Sequence, residues 1–159
     1  MLESGAAPAP PVHILLVEDD LNDAELACEV FRQINVPHEV HRVDHAEGAL
    51  TYLSDLGPAG PNPRPGLVIL DLRLPQQSGF DVLRRLKDDR QLNTIPVLVL
   101  TGSPAEKDIW SSYHLHANAY IVKPGNAEGF MTVLRQLAEF YLRVVLLPPP
   151  APPPNRNQR

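Results

Sequence analysis

The sequence predicts a doubly wound α/β domain: a five-stranded parallel sheet with five helices, packed on both of its faces. Three observations lead there. Short apolar runs alternate five times with longer stretches of helical spacing. The runs are apolar almost throughout, as strands covered on both faces must be. At 159 residues, 43% apolar and 21% charged, the chain has room for one such domain and a substantial core.

Taken in order, Val12–Val17 reads as the first strand. A helix follows in which Leu21, Ala24, Cys28, Phe31 and Ile34 recur at helical spacing, with Asp20 suited to cap its start. Cys28 is the single cysteine, so no intrachain disulfide or cysteine-cluster metal site can form, and it reads as a small core residue. Glu39–Val43 is the second strand and 46–56 the second helix. The next segment, GPAGPNPRPG from Gly57 to Gly66, holds four prolines and three glycines and suits only a loop. Leu67–Leu70, Val97–Leu100 and Ala119–Val122 complete the strands, with helices at 79–89, 105–116 and 127–146.

The flanks differ in kind. Nine of the 18 prolines lie in residues 1–11 and 148–159, which read as disordered tails around a folded body at 12–147. The tails carry one Glu and two Arg, so the body is more acidic than the whole-chain net charge of −5. That balance offers no electrostatic footprint for nucleic acid. No run of 18 apolar residues suggests a membrane span. The N-terminus also lacks the basic flank and apolar core of a signal peptide, so a cytoplasmic location is expected. The six histidines show no metal-binding spacing and read as surface or capping residues; His114 and His116, two apart, would point differently on a helix.

In an open parallel sheet, ligands bind beyond the carboxyl ends of the strands. Strand one ends in Glu18, Asp19 and Asp20, strand three in Asp71, strand four in Thr101, and strand five in Lys123 and Pro124. Carboxylates gathered in one place repel unless a cation neutralises them, and an all-oxygen set suits Mg²⁺. A carboxylate beside such an ion can attack phosphorus, with a lysine and a hydroxyl holding the transferring oxygens. Taken singly, each acid also reads as a helix cap or solvated loop charge, Asp20 above all. The combination at four strand ends points to chemistry.

The segments ILLVEDD, LVILDLRLPQQSGFDVL, PVLVLTGS and AYIVKP resemble, in order and spacing, those of response-regulator receiver domains over about 12–147. The resemblance implies a flavodoxin-like fold with strand order 2-1-3-4-5 and phosphorylation of Asp71 in the presence of Mg²⁺, or another divalent cation such as Mn²⁺. It implies metal ligation by Asp71, by Asp19 directly, by Glu18 through water, and by the backbone carbonyl of Arg73. It implies a phosphate-binding Lys123, a switch pair in Thr101 and Tyr120, and a cis peptide between Lys123 and Pro124. Within the family, the loop GPAGPNPRPG, the stretch Ser112–Pro124 and the ending AEFYLRVVLLP are similar to small regulators paired with bacterial and cyanobacterial phytochrome histidine kinases. A kinase of that type is therefore the expected partner. Two departures stand out: Arg73 where a smaller polar residue is common, and Gly125 where a bulkier apolar one is frequent.

The apolar surface of the last helix is wider than one sheet-covering stripe. A homodimer is expected there, through Phe130, Leu134, Leu137, Tyr141 and Val144, and Trp110 and Tyr113 on the preceding helix could extend the same face. Other functions are open at this point. An aspartyl-phosphate phosphatase of the haloacid-dehalogenase type would need an acid where Arg73 stands. A phosphate sink, or an interaction module that is never phosphorylated, would share the fold. No second domain or basic helix follows residue 147 to suggest a transcription factor.

Overall fold

A computed structural model describes residues 8–57 and 60–149 of the chain. Most of both proline-rich flanks lies outside them. The elements run β1 (Val12–Val17), α1 (Leu21–Arg32), β2 (His38–Val43), α2 (Ala46–Ser54), β3 (Leu67–Leu70), α3 (Gly79–Asp88), β4 (Val97–Thr101), α4 (Glu106–His114), β5 (Ala119–Val122) and α5 (Ala127–Glu139). A π-helical turn, Phe140–Val144, continues α5. The five strands are all parallel, in the order β2-β1-β3-β4-β5.

Strand alternation divides the core in two. Leu15, Val17, Val68, Leu70, Val97 and Val99 face α2 and α3, packing on Ala49, Leu53, Val82, Leu83 and Leu86. Ile14, Leu16, Ile69, Leu98 and Leu100 face the other way, onto Ala27, Phe31, Phe130 and Leu134 of α1 and α5. Successive side chains on a strand point to opposite faces, so a doubly covered sheet needs apolar residues at every position.

Side-chain caps start three of the helices. Asp20 accepts from the Asp23 amide at 3.0 Å, Ser78 from Phe80 at 3.2 Å and Asn126 from Gly129 at 2.7 Å. The loop before β3 is tied down by side chains: the Tyr52 hydroxyl donates to the Pro63 carbonyl at 2.8 Å, and Arg64 donates to Thr94 at 3.0 Å. Cys28 is half-buried at the edge of the second cluster rather than a full core residue. The last helix is shorter than the 127–146 its apolar pattern suggests. Val145 is extended, and Pro148 disfavours helix immediately before it.

α4 closes with Ala117 donating to Ser112 at 2.9 Å, around His116 in the left-handed region at φ 68°. A non-glycine residue is strained there. We expect His116→Gly to raise unfolding stability by up to about 1 kcal/mol, read as a rise in the urea midpoint at unchanged slope.

Candidate functional site at the carboxyl edge of the sheet

The chain leaves β1 for β2 on one side and returns to β3 on the other, so a crevice opens between the carboxyl ends of β1 and β3. Glu18 and Asp71 stand on its two walls. The Glu18 amide donates to Val43 and the Asp71 amide to Val17, each at 3.0 Å, so the ladder runs one residue past the strands and holds both acids. Glu18 is 3% exposed and Asp71 6%, whereas Asp19 is open to solvent. Each of the three offers a carboxylate oxygen within 4.8 Å of the others.

Lys123 gathers this edge together. Its ammonium donates to Glu18 at 2.6 Å, to Asp71 at 2.9 Å and to Asp23 at 2.9 Å. Its backbone amide donates to the Thr101 carbonyl at 2.8 Å, and the Phe130 ring lies 5.9 Å beneath the charge. Burial opposes the ammonium, but the three carboxylates outweigh it and hold its pKa above the ordinary lysine value. Burial pushes the Glu18 carboxyl up to about 7, against the hydrogen bond and charge of Lys123, with the Asp71 charge adding to the rise. One cation thus serves several acids, a balance that leaves negative charge to spare.

Two further features complete the edge. Thr101 is fully buried, and its hydroxyl is the one buried side-chain polar atom without a hydrogen-bond partner among the described residues. Such an atom fits an oxygen-rich ligand that reaches the site from solvent. Tyr120 is half-buried and donates its hydroxyl to the Ser103 carbonyl at 2.8 Å, tying β5 to the loop after Thr101. Ser103 is itself buried and bonds Asp108 at 2.6 Å. The Arg73 amide donates to the second Asp71 oxygen at 3.0 Å, which fixes the carboxylate while the Arg73 side chain stays exposed. Gly79 is required beside it, since a Cβ there would lie 2.3 Å from the Asp71 carbonyl oxygen.

A response regulator receiver domain model matches residues 14–135, spanning Glu18, Asp71, Thr101 and Lys123. The chain belongs to the response regulator receiver family. Receiver domains take a phosphoryl group on an aspartate beside a divalent cation, and the crevice has the acids for it. This receiver domain is 38% identical to response regulator Rcp1 of Synechocystis over 139 residues, covering 87% of this chain and 95% of that protein. The Mn²⁺-bound crystal structure of Rcp1 superposes with a TM-score of 0.84 at 37% identity, covering 87% of this chain and all of the other. The phosphorylated cyanobacterial phytochrome response regulator RcpA gives 0.83 at 40% identity, covering 87% and 99%. The chain is therefore a response regulator related to phytochrome response regulators.

Several expectations change on this receiver domain. No described peptide bond is cis, so Lys123–Pro124 is trans; the lysine reaches all three acids with the ordinary isomer. Phe130 and Leu134 are 4% and 0% exposed, buried against the sheet rather than presented to a second chain. The extra apolar surface lies beyond them, at Phe140 and Val144 of the helical end and at Leu146 just after it. Asp23, a ligand of Lys123, escapes a reading confined to strand ends, because it comes from the first turn of α1. Its place three residues after the Asp20 cap is the signal that would have found it. No described helix is long and apolar enough to cross a membrane.

Proposed function

We propose that residues 12–147 form a phosphorylation switch that takes a phosphoryl group from a phytochrome-type histidine kinase onto Asp71. The observation that carries this is the single cluster in which Lys123 bridges Glu18, Asp23 and Asp71 next to the unpartnered Thr101 hydroxyl. An Asp71 oxygen attacks phosphorus, the P–N bond to the kinase imidazole breaks, and the electron pair leaves with that nitrogen. Lys123 and Thr101 hold two of the transferring oxygens by charge and hydrogen bond. Asp19 directly, Glu18 through water, Asp71 and the Arg73 carbonyl would hold Mg²⁺ or Mn²⁺. The hard oxygen donors of Glu18, Asp19 and Asp71 fit such an ion, which supplies charge neutralisation in the crevice. The protein catalyses no reaction but its own phosphorylation and dephosphorylation, and it works in the cytoplasm.

Once Thr101 engages the phosphoryl group, the β4–α4 loop shifts and Tyr120, bonded to that loop through Ser103, moves with it. Treating the purified protein with a small phosphodonor and Mg²⁺ tests the reading. Intact mass should rise by one phosphoryl group, and a chelator should prevent it. An unlabelled protein with saturating Mg²⁺ would refute it.

Arg73 sets the lifetime of the product. Arg73 is exposed and lines a surface cleft together with Asp19, and a guanidinium can hydrogen-bond phosphoryl oxygens. Arg73→Asn is expected to change the dephosphorylation rate several-fold with the phosphoacceptor intact, measured by the decay of the labelled mass. An unchanged rate would remove Arg73 from the mechanism.

The end of the chain's last helix supports self-association. Val144 is 68% exposed and Phe140 50%, with the partly buried Leu137 and Tyr141 beside them. We place a homodimer on Leu137, Tyr141 and Val144, without Phe130 and Leu134. Val144→Asp should shift the protein to monomer by light scattering while moving unfolding stability by less than about 0.5 kcal/mol.

A further inference from the structure

The register of β1 and β2 creates a second cluster at the far side of the sheet. His13 pairs with Glu39, and Leu15, two residues on, pairs with His41. With a side-chain period of two, His13, Glu39 and His41 therefore share one face of the sheet. Their donor atoms converge. His13 Nδ1 lies 3.1 Å from His41 Nε2, and the Glu39 carboxylate lies 3.6 Å from the first and 3.8 Å from the second.

Those separations match a metal ion's coordination shell. With bonds of about 2.0–2.1 Å to nitrogen or oxygen, a tetrahedral ion separates its ligands by about 3.3–3.4 Å. The His41 imidazole is backed rather than free to swing. The His41 ring tilts against Tyr52 at 5.7 Å between centroids, and Tyr52 is pinned through its hydroxyl to the Pro63 carbonyl. All three ligands keep a solvent-facing side, with exposures of 24%, 26% and 59% for His13, His41 and Glu39. An ion can enter, and a fourth position stays open to water.

We propose that His13, His41 and Glu39 form a second metal site, for Zn²⁺ or a similar divalent transition ion. It is separate from the acidic crevice. Four strand residues, about 13 Å, lie between His13 and the end of β1. The chemistry separates the sites too: imidazole nitrogen favours Zn²⁺ and Co²⁺, whereas the oxygen-only set around Asp71 favours Mg²⁺. The ion would clip edge strand β2 to its neighbour β1, so its binding stabilises the folded protein by mass action.

The test uses the full chain, stripped of metal and held in excess Mg²⁺ to occupy the acidic crevice. Titration with Co²⁺ should give one equivalent with the visible spectrum of a low-coordinate site, and Zn²⁺ should displace it. Glu39→Gln, at an exposed position that should not disturb folding, should weaken binding at least tenfold, and His13→Gln should abolish it. Asp19→Asn should leave it unchanged. Zn²⁺ should raise the melting temperature of the wild type more than that of Glu39→Gln, and leave that of His13→Gln unchanged. Absence of Co²⁺ binding in excess Mg²⁺ would overturn the proposal and leave a plain histidine–histidine hydrogen bond. Binding that survives both Glu39→Gln and His13→Gln, or that Asp19→Asn removes, would also overturn it.

Discussion

Replacing Asp71 with Asn is expected to abolish phosphorylation, leaving the intact mass unchanged by a small phosphodonor and Mg²⁺ that label the wild type once. The amide has nearly the shape of the carboxylate and can still accept the Arg73 amide bond on one oxygen. It lacks the anionic oxygen needed to attack phosphorus. The fold should survive, because Lys123 keeps Glu18 at 2.6 Å and Asp23 at 2.9 Å. Removing one of three carboxylates around one ammonium also relieves like-charge repulsion. Circular dichroism on the same samples separates loss of chemistry from loss of structure. A labelled variant would move the phosphoacceptor elsewhere, with Asp19 the next acid in the cluster.

The second large effect is on stability. Leu134→Ala should cost about 2–5 kcal/mol, the range for emptying a fully buried leucine site. Leu134 has no exposed surface and packs among Ile14, Leu16, Leu98 and Phe31, where the sheet and α1 limit how far a cavity can collapse. Against a total of about 5–15 kcal/mol for a domain, that loss should lower the urea midpoint sharply and independently of protein concentration. The contrast with Val144→Asp is diagnostic. Were Leu134 a dimer contact, its truncation would alter self-association and spare the unfolding of the single chain.

Much of this was legible from residue patterns. Four of the five strand starts and four of the five strand ends follow from apolar runs stopping at polar ones; β2 starts one residue earlier, at His38, and β4 runs one further, to Thr101. Glu18, Asp71, Thr101 and Lys123 needed only the rule that parallel sheets bind at their carboxyl edge. Helix ends were less legible, because caps and a terminal proline shift them by a residue or two. The apolar width of α5 was visible, but its direction was not. Phe130 and Leu134 fall on the same apolar pattern as Val144, and only the position of the sheet separates inner from outer residues.

Histidine spacing shows the same limit more sharply. His13 and His41 are 28 residues apart, a separation at which no local motif exists, and they meet because β2 pairs with β1 in one parallel register. A slip of one residue would turn His41 to the opposite face. The sequence by itself determined the fold class and the sheet edge at which Asp71 and its neighbouring acids gather, since apolar period and strand-end polarity are local properties. Tertiary structure alone decided that Lys123 binds three acids at once, that Thr101 is left without a partner, that Phe130 lies under the lysine, and that two distant histidines touch. Each depends on distances between elements far apart in the chain, which packing sets and local pattern does not encode.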